Sequence, residues 1–253
     1  MKFYLSLLLA ASPLLIFCQS EQKIPLQGAT AVHFYAEVSG LYITTASTDE
    51  ISVRHIVQVN GEDRPDLQEL DIVRDGNELK ILERKPNIKV FKEALGDDNL
   101  NITHKRDKLG DGSWGRCSVV SYLEITVPKK MKVTAETLYG GIEAMAMENM
   151  PRAKSTYGTI EVVFSPTATV NGLDFESTYQ SVDVTLPAAT KADLQLRTSY
   201  GSMYTDFEFP MKANMNDSHS HEGRGQPLNG VMNGGGKAIT LSATYKNIYL
   251  RKH

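Results

Sequence analysis

The sequence has little cysteine: Cys18 and Cys117 are the two that occur in 253 residues. Cys18 lies at the end of an apolar N-terminal stretch, so Cys117 has no intramolecular partner and a disulfide framework is excluded. We interpret Cys117 as a free, buried thiol. The hydrophobic core must therefore hold the fold without covalent cross-links.

An excess of charge of one sign is also lacking. Lysine and arginine number 27 against 30 aspartate and glutamate residues, which gives a net charge of −3. A basic face for a phosphate backbone is not indicated, so nucleic acid is not an expected partner. No stretch after the N-terminus approaches the ~20 apolar residues that cross a bilayer as a helix. We therefore predict no transmembrane segment.

Recognisable catalytic motifs are lacking as well. We find no nucleophile elbow, no zinc-protease helix and no phosphate-binding glycine loop. Stacked coils could bring two carboxylates together for sugar cleavage. The candidates for such a pair are Asp183, Asp193 and Asp206. These residues fall at different places in the repeats described below, and scattered solubilising acids explain them better. We predict a protein that is not an enzyme, with no catalytic residue and no cofactor.

Residues 1–20 have the pattern of a secretory signal peptide. Lys2 precedes an apolar run from Leu5 to Phe17, and polar residues follow. The end of the run is similar to a bacterial lipobox, in which Cys18 would carry a lipid anchor. Ordinary cleavage after Cys18 or Ser20 is the alternative. Either way we expect an exported protein, in the periplasm or on the outer cell surface.

A short phrase occurs five times, each time with a tyrosine at its centre and a small residue two places before it. The five tyrosines are Tyr139, Tyr157, Tyr179, Tyr200 and Tyr245, and the first four are 18, 22 and 21 residues apart. Such a spacing is typical of stacked structural repeats.

Each phrase joins two arms with alternating apolar residues, as in Phe175 and Ser177 before Tyr179 and Val182 and Val184 after it. Period two indicates strands that are buried on one face. A stack of coils and a series of hairpins both fit this pattern. The uniform tyrosine column favours the coils, because stacking places like on like. We predict an all-β, parallel β-solenoid with coils of ~20 residues.

The tyrosines share the parity of the apolar residues in the preceding arm, such as Phe175 before Tyr179. This predicts an inward structural ladder in which each ring packs between its neighbours in sequence. Tyr179 would then lie between Tyr157 and Tyr200. The alternative is an outward aromatic strip that binds sugars or partner proteins.

We predict one domain over residues 21–253, with regular repeats over 121–252 and an irregular insertion over 49–120. Inside the insertion, alternating residues flank Asp75 and Gly76, which predicts a β-hairpin. A polar loop follows, in which residues 97–101 resemble a calcium loop only in part. Residues 210–237 form a second irregular stretch. It contains weak candidates for metal ligands: His219, His221 and Glu222.

The repeats resemble those of the bacterial putative-adhesin domains of unknown function, the head-GIN and toast-rack-like group. The resemblance covers about residues 30–252, and two non-glycine corners, at Gln180 and Lys246, depart from the pattern. The segments that carry it are Val127 to Lys130, Thr137 to Glu143, Asn233 to Lys237, Ile239 to Leu241 and Lys246 to Lys252. It implies a β-solenoid and a cell-envelope setting.

The expected function is therefore that of an exported, non-enzymatic envelope protein, adhesin-like or scaffolding. Its repetitive β surface would contact an unidentified protein or glycan. The alternative is a carbohydrate-binding module or a polysaccharide-active enzyme built on the face of the solenoid.

Overall fold

The computed structural model describes residues 21–87, 89–90, 93, 100–103, 117–210 and 227–253. These residues form two large β-sheets and the 3-10 helix η1 (Pro65–Leu67). The first sheet contains β1 (Gln22–Pro25), β3 (Gly40–Ala46), β4 (Glu50–Val59), β5 (Glu62–Asp63), β8 (Leu100–Thr103), β9 (Cys117–Pro128), β11 (Ile142–Met147), β13 (Ile160–Phe164), β15 (Val182–Leu186), β17 (Met203–Thr205) and β20 (Ile248–Lys252). The second contains β2 (Ala31–Ala36), β6 (Glu69–Asp75), β7 (Glu78–Lys85), β10 (Lys132–Thr137), β12 (Arg152–Ser155), β14 (Leu173–Ser177), β16 (Ala192–Thr198), β18 (Leu228–Met232) and β19 (Lys237–Ala243).

Over much of its length the chain places one strand in the second sheet and the next in the first. We call a second-sheet strand, the turn after it and the following first-sheet strand a repeat. The repeats are β2–β3, β10–β11, β12–β13, β14–β15, β16–β17 and β19–β20, and neighbouring repeats pair in parallel in both sheets. The prediction of an all-β fold is confirmed.

The sheets are mixed and not parallel throughout, which corrects the sequence-based prediction. Antiparallel pairs lie towards the ends: β1 and β5 pair with β4, β4 pairs with β9, β6 pairs with β7, and β18 pairs with β16. A strand at the end of a parallel stack leaves its backbone groups unpaired. A chain that folds back antiparallel satisfies these groups without a further repeat.

The repeats are not stacked in sequence order. Strand β19 lies between β14 and β16, and β20 lies between β15 and β17. In register, Leu241 of β19 is level with Phe175 on one side and with Leu196 on the other. The last repeat of the chain is thus inserted between the two repeats that precede it in sequence.

The stretch predicted as an insertion supplies strands to both sheets. Strand β4 is ten residues long and pairs along most of its length with β9. The predicted hairpin is confirmed as β6–β7, with Gly76 at a positive φ of 59° in its turn. Sequence reasoning missed β4 because it does not contain the tyrosine phrase.

Most inward side chains of the two sheets form one large hydrophobic core, and two smaller buried clusters lie around Val57 and Ile56. In β14 and β15 the residues alternate strictly between buried and more exposed, as the period-two pattern predicts. Phe34, Phe164 and Phe175 are the largest of the fully buried side chains. The described part of the chain contains no helix that is long and apolar enough to span a membrane.

Candidate functional site

The five repeat tyrosines lie on the outside of the molecule, where each repeat turns from the second sheet to the first. The exposed fractions are 45% for Tyr157, 40% for Tyr179, 44% for Tyr245 and 70% for Tyr200. The prediction of inward rings is therefore wrong. The preceding strand ends two residues before the tyrosine, and the alternation of a strand does not continue through a turn.

The five rings, of which Tyr139 is half-buried and the other four are exposed, form one continuous stack. In spatial order, Tyr139, Tyr157, Tyr179, Tyr245 and Tyr200 have successive centroid separations of 5.2, 4.7, 5.0 and 5.0 Å. Neighbouring ring planes differ by 8° or less. The separations match the ~4.8 Å between paired strands, so the backbone sets the spacing of the rings. We call these five rings the tyrosine stack.

Buried hydroxyls fix the turns that carry the stack. Ser155 Oγ donates to the Gly140 carbonyl (3.1 Å) and accepts from the Gly158 N–H (2.9 Å). In the next repeat, Ser177 Oγ donates to the Gly158 carbonyl (2.9 Å) and accepts from the Gln180 N–H (3.2 Å). Each hydroxyl thus closes its own turn and ties it to the neighbouring repeat.

The small residue two places before Tyr157, Tyr179 and Tyr200 therefore has a different purpose from the one the sequence suggested. Thr198 makes the same pair of bonds, to the Lys246 carbonyl at 3.0 Å and from the Gly201 N–H at 2.9 Å. The hydroxyl satisfies buried backbone groups, whereas the tyrosine ring lies outside and needs no inward space. The signal in the sequence was a Ser or Thr three residues before a turn N–H.

Glycine in three of the turns is required by close approach. A Cβ atom on Gly158 would lie 2.0 Å from the Gly140 carbonyl oxygen, and one on Gly140 would lie 2.0 Å from the Ser39 carbonyl oxygen. Gly201 meets the Lys246 carbonyl oxygen at the same distance. Gln180 and Lys246 take the equivalent place in the other two repeats, yet Tyr179 and Tyr245 remain in the stack.

A second, shorter aromatic stack lies on the outer face of the first sheet. Tyr204 of β17 stacks on Tyr249 of β20, with 5.1 Å between centroids. The Arg251 guanidinium lies 5.1 Å from the Tyr249 ring centroid and donates to both carboxylate oxygens of Asp183, at 2.7 and 2.8 Å. Arg251 therefore links a ring to a carboxylate on the neighbouring strand.

The structure does not bring the three candidate acids together as a cleaving pair. Asp183 is held in the two-bond ion pair with Arg251, which also lies near Asp206. Asp206 accepts the Lys252 N–H at 3.3 Å. Asp193 lies on β16, in the other sheet. A glycosidase needs two carboxylates that face one cleft, and these three residues do not supply them.

A buried polar cluster contains a serine, a histidine and a glutamate. Ser39 Oγ lies 3.3 Å from His55 Nε2, and Glu83 Oε1 lies 3.5 Å from the same nitrogen. In a hydrolase triad the carboxylate binds Nδ1, opposite the hydroxyl. Here His55 Nδ1 has no partner among the described residues, and Ser39 has no solvent exposure. The cluster therefore lacks a carboxylate on His55 Nδ1, and a substrate cannot reach the buried Ser39 hydroxyl. Nucleophilic catalysis needs both features.

Glu83 has a structural task in this cluster. Its Oε2 accepts the backbone N–H groups of Val38 (2.7 Å) and Ser39 (3.2 Å), and the Ser39 hydroxyl donates to the same carboxylate. Strands β7 and β2 pair in parallel, which places Glu83 level with the end of β2. The carboxylate thus closes the first repeat's turn, as Ser and Thr hydroxyls do in later repeats.

The metal candidates His219, His221 and Glu222 lie outside the described residues, as do residues 97–99 of the partial calcium loop and the anchor candidate Cys18. Within the described residues there is no group of three or more His, Cys, Asp or Glu side chains that could hold a metal ion. Cys117 is the first residue of β9.

No protein-family model and no curated protein matches the sequence. Among solved structures, a putative cell adhesion protein from Clostridium sporogenes ATCC 15579 aligns over 92% of this chain and 99% of its own, with a TM-score of 0.61 and 11% sequence identity. A putative adhesin from Bacteroides fragilis NCTC 9343 aligns over 92% of this chain and 96% of its own, with a TM-score of 0.32 and 8% identity. The first likeness shows a shared fold.

Proposed function

We propose that this chain is an exported, non-enzymatic protein of the cell envelope, adhesin-like, that binds a macromolecular partner through the tyrosine stack. The exposure of that stack carries the proposal. The resemblance to the putative-adhesin domains of the head-GIN and toast-rack-like group adds to it, as does the fold shared with the putative cell adhesion protein of Clostridium sporogenes. In this proposal residues 21–253 form one solenoid-like domain behind a signal peptide, and the lipobox-like sequence makes Cys18 the candidate site of lipid attachment.

Stacking determines which part of each ring a partner meets. Tyr157, Tyr179 and Tyr245 have a parallel ring on each face, so their exposed area of 40–45% lies at ring edges and hydroxyls. A partner therefore meets a row of apolar edges and phenol groups about 5 Å apart, close to one strand spacing. Such a row suits an extended polymer, either a polypeptide or a glycan chain, better than a small molecule.

The amino-acid type agrees with this purpose. Tyrosine offers a large apolar area with a polar end and loses little side-chain freedom on binding, which explains its enrichment at interfaces. Here the neighbouring rings also hold each tyrosine in one orientation before any partner arrives. Such preorganisation reduces the entropic cost of association.

Binding of the protein to isolated envelope fractions and to a glycan array tests the proposal. We expect the double variant Tyr157→Ser and Tyr179→Ser to lose most of the binding that the unaltered protein shows. The matched control is Ile72→Ser with Val73→Ser, two residues of β6 that are 43% and 47% exposed. Equal binding by the double variant and the control would show that the stack is not the binding surface.

A further inference from the structure

A cleft of about 330 Å³ lies beside the end of the tyrosine stack. Its lining belongs to β16, β19 and the segments next to them, and consists of Arg197, Thr198, Ser199, Pro227, Ser242 and Thr244. Clefts that hold a small organic ligand begin at about 300 Å³. Four hydroxyls and one guanidinium lie among apolar atoms in this lining, so the cleft offers both polar and apolar contacts.

Arg197 gives the cleft a positive charge that no described residue neutralises. It lies on the exposed face of β16, level with Ser242 of β19. Arg54, Arg64 and Arg251 are each bound to a carboxylate of this chain. No hydrogen bond or ion pair joins Arg197 to another described residue. A guanidinium without such a partner can bind the carboxylate of a ligand through two parallel hydrogen bonds.

The hydroxyl groups of the cleft differ in what they can offer a ligand. The Thr198 hydroxyl is already used in its turn, to the Lys246 carbonyl. Ser199, Ser242 and Thr244 are half-buried, and no hydrogen bond of their hydroxyls is seen within the described residues. Since a hydroxyl both donates and accepts, three of them in one cleft can match the hydroxyls of a sugar ring.

Tyr200 is not one of the lining residues, but it supplies an aromatic face next to the cleft. It follows Ser199 directly, and the N–H groups of both residues donate to the Thr244 carbonyl at 3.1 Å. Tyr200 ends the tyrosine stack: Tyr245 covers one of its faces, and no described ring covers the other. Its 70% exposure, the highest among these tyrosines, reflects that open face. Tyr157, Tyr179 and Tyr245 have a ring on each face and offer mainly edges, and Tyr139 at the opposite end of the stack is half-buried.

We propose that this cleft binds one acidic sugar residue of a glycan, with Arg197 on the sugar carboxylate, the free hydroxyls on the ring hydroxyls and Tyr200 beside an apolar face of the ring. This inference rests on the proposed function in one respect, since it takes a glycan as the envelope partner. It adds that the glycan contains acidic sugars and that their carboxylate binds Arg197, a contact that the inner rings of the stack cannot make.

Titration of the protein with glucuronate, glucose and acetate, followed by NMR or calorimetry, tests the cleft. Glucuronate should bind at least about tenfold more tightly than either glucose or acetate, because a charge-assisted pair and the sugar contacts act together. Arg197→Gln should weaken glucuronate binding about tenfold or more, and Tyr200→Ser should weaken it measurably. Arg152→Gln, which alters an exposed arginine on another strand of the same sheet, should leave it unchanged.

Other outcomes would overturn the assignment. If acetate bound as tightly as glucuronate, the cleft would be a simple anion site. If glucose bound as tightly as glucuronate, Arg197 would not contribute to binding. Glucuronate binding that is unaffected by Arg197→Gln would place the sugar elsewhere. The double variant Tyr157→Ser and Tyr179→Ser separates the two proposals: it should keep glucuronate binding even if it loses the envelope, and a loss of both would move the sugar onto the inner stack.

Discussion

The ring of Tyr179 lies parallel to the ring of Tyr245, with 5.0 Å between centroids and 2° between the planes. Tyr200 lies between them in sequence but at the end of the stack in space, against the other face of Tyr245. Tyr245 is thus an inner ring with two stacked neighbours, and Tyr200 is a terminal ring with one. The stability of the stack depends on this spatial order.

We expect Tyr245→Ala to destabilise the protein more than Tyr200→Ala. Each stacked aromatic pair contributes ~0.5–1.5 kcal/mol beyond area burial, so the loss of two pairs predicts ~1–3 kcal/mol and the loss of one predicts ~0.5–1.5 kcal/mol. Chemical denaturation of the two variants measures the difference. Tyr245→Phe is the control, because it keeps both ring contacts. A larger loss for Tyr200→Ala would contradict the spatial order.

The strands were predictable from the sequence, whereas their order was not. Alternation around Phe175 and Val184 gives the strands and their buried faces, because burial on one face needs a period of two. The five phrases share one pattern of residue types, however, so the same local rules allow any repeat to lie on any other. The pairing of β18 with β16 and the insertion of β19 depend on long-range packing that no local pattern records.

Gly158→Ala should destabilise the protein although the φ of Gly158 is not positive. The new Cβ would lie 2.0 Å from the Gly140 carbonyl oxygen, so two repeats would have to separate locally. Overpacking of this kind typically costs ~1–3 kcal/mol. Gln180→Ala is the matched control, because Gln180 has the equivalent place in its own turn and its side chain is exposed. Thermal melts in which both variants unfold at the same temperature would contradict the close-approach argument.

The candidate surface was predictable only in part. The spacing of the five tyrosines predicted that they form one column. The rings were predicted to point inward because the alternation of the preceding strand was extended into the turn, where it does not apply. The strand ends at Ser177, and Tyr179 lies within the bend that follows, over residues 178–180. The cleft beside Tyr200 could not be predicted either. It is lined by β16 and β19, which are neighbours only because the last repeat inserts next to β16.

The stability of the fold should fall as the pH is lowered through the titration of His33. Burial lowers the pKa of His33 below its ordinary value of 6.5, an effect that the charges of Glu136 and Glu78 oppose in part. The unfolded chain then takes up this proton at a higher pH than the folded chain. His33 therefore has no effect well above pH 6.5 and reduces the free energy of unfolding below it.

The variant His33→Gln isolates that contribution. Relative to the unaltered protein, we expect its free energy of unfolding to improve progressively as the pH falls from about 7 to about 5, where an ordinary histidine titrates. Denaturation at several pH values measures the difference between the two proteins. A difference that stays constant over this range would mean that the pKa of His33 is the same in the folded and unfolded states.

Removal of one turn hydroxyl tests how the repeats are held together at the stack. Ser177→Ala leaves the buried Gly158 carbonyl and the half-buried Gln180 N–H without their partner. An unsatisfied buried group costs ~1–3 kcal/mol, so we expect a loss of stability of about that size. Ser177→Thr is the control, since threonine already occupies the equivalent place at Thr198 with the same two bonds. Hydrogen exchange should report faster opening at the Gln180 amide in the alanine variant and not in the threonine variant. Equal exchange in all three proteins would show that the hydroxyl does not hold the turn, and the rigidity of the tyrosine stack would then need another source.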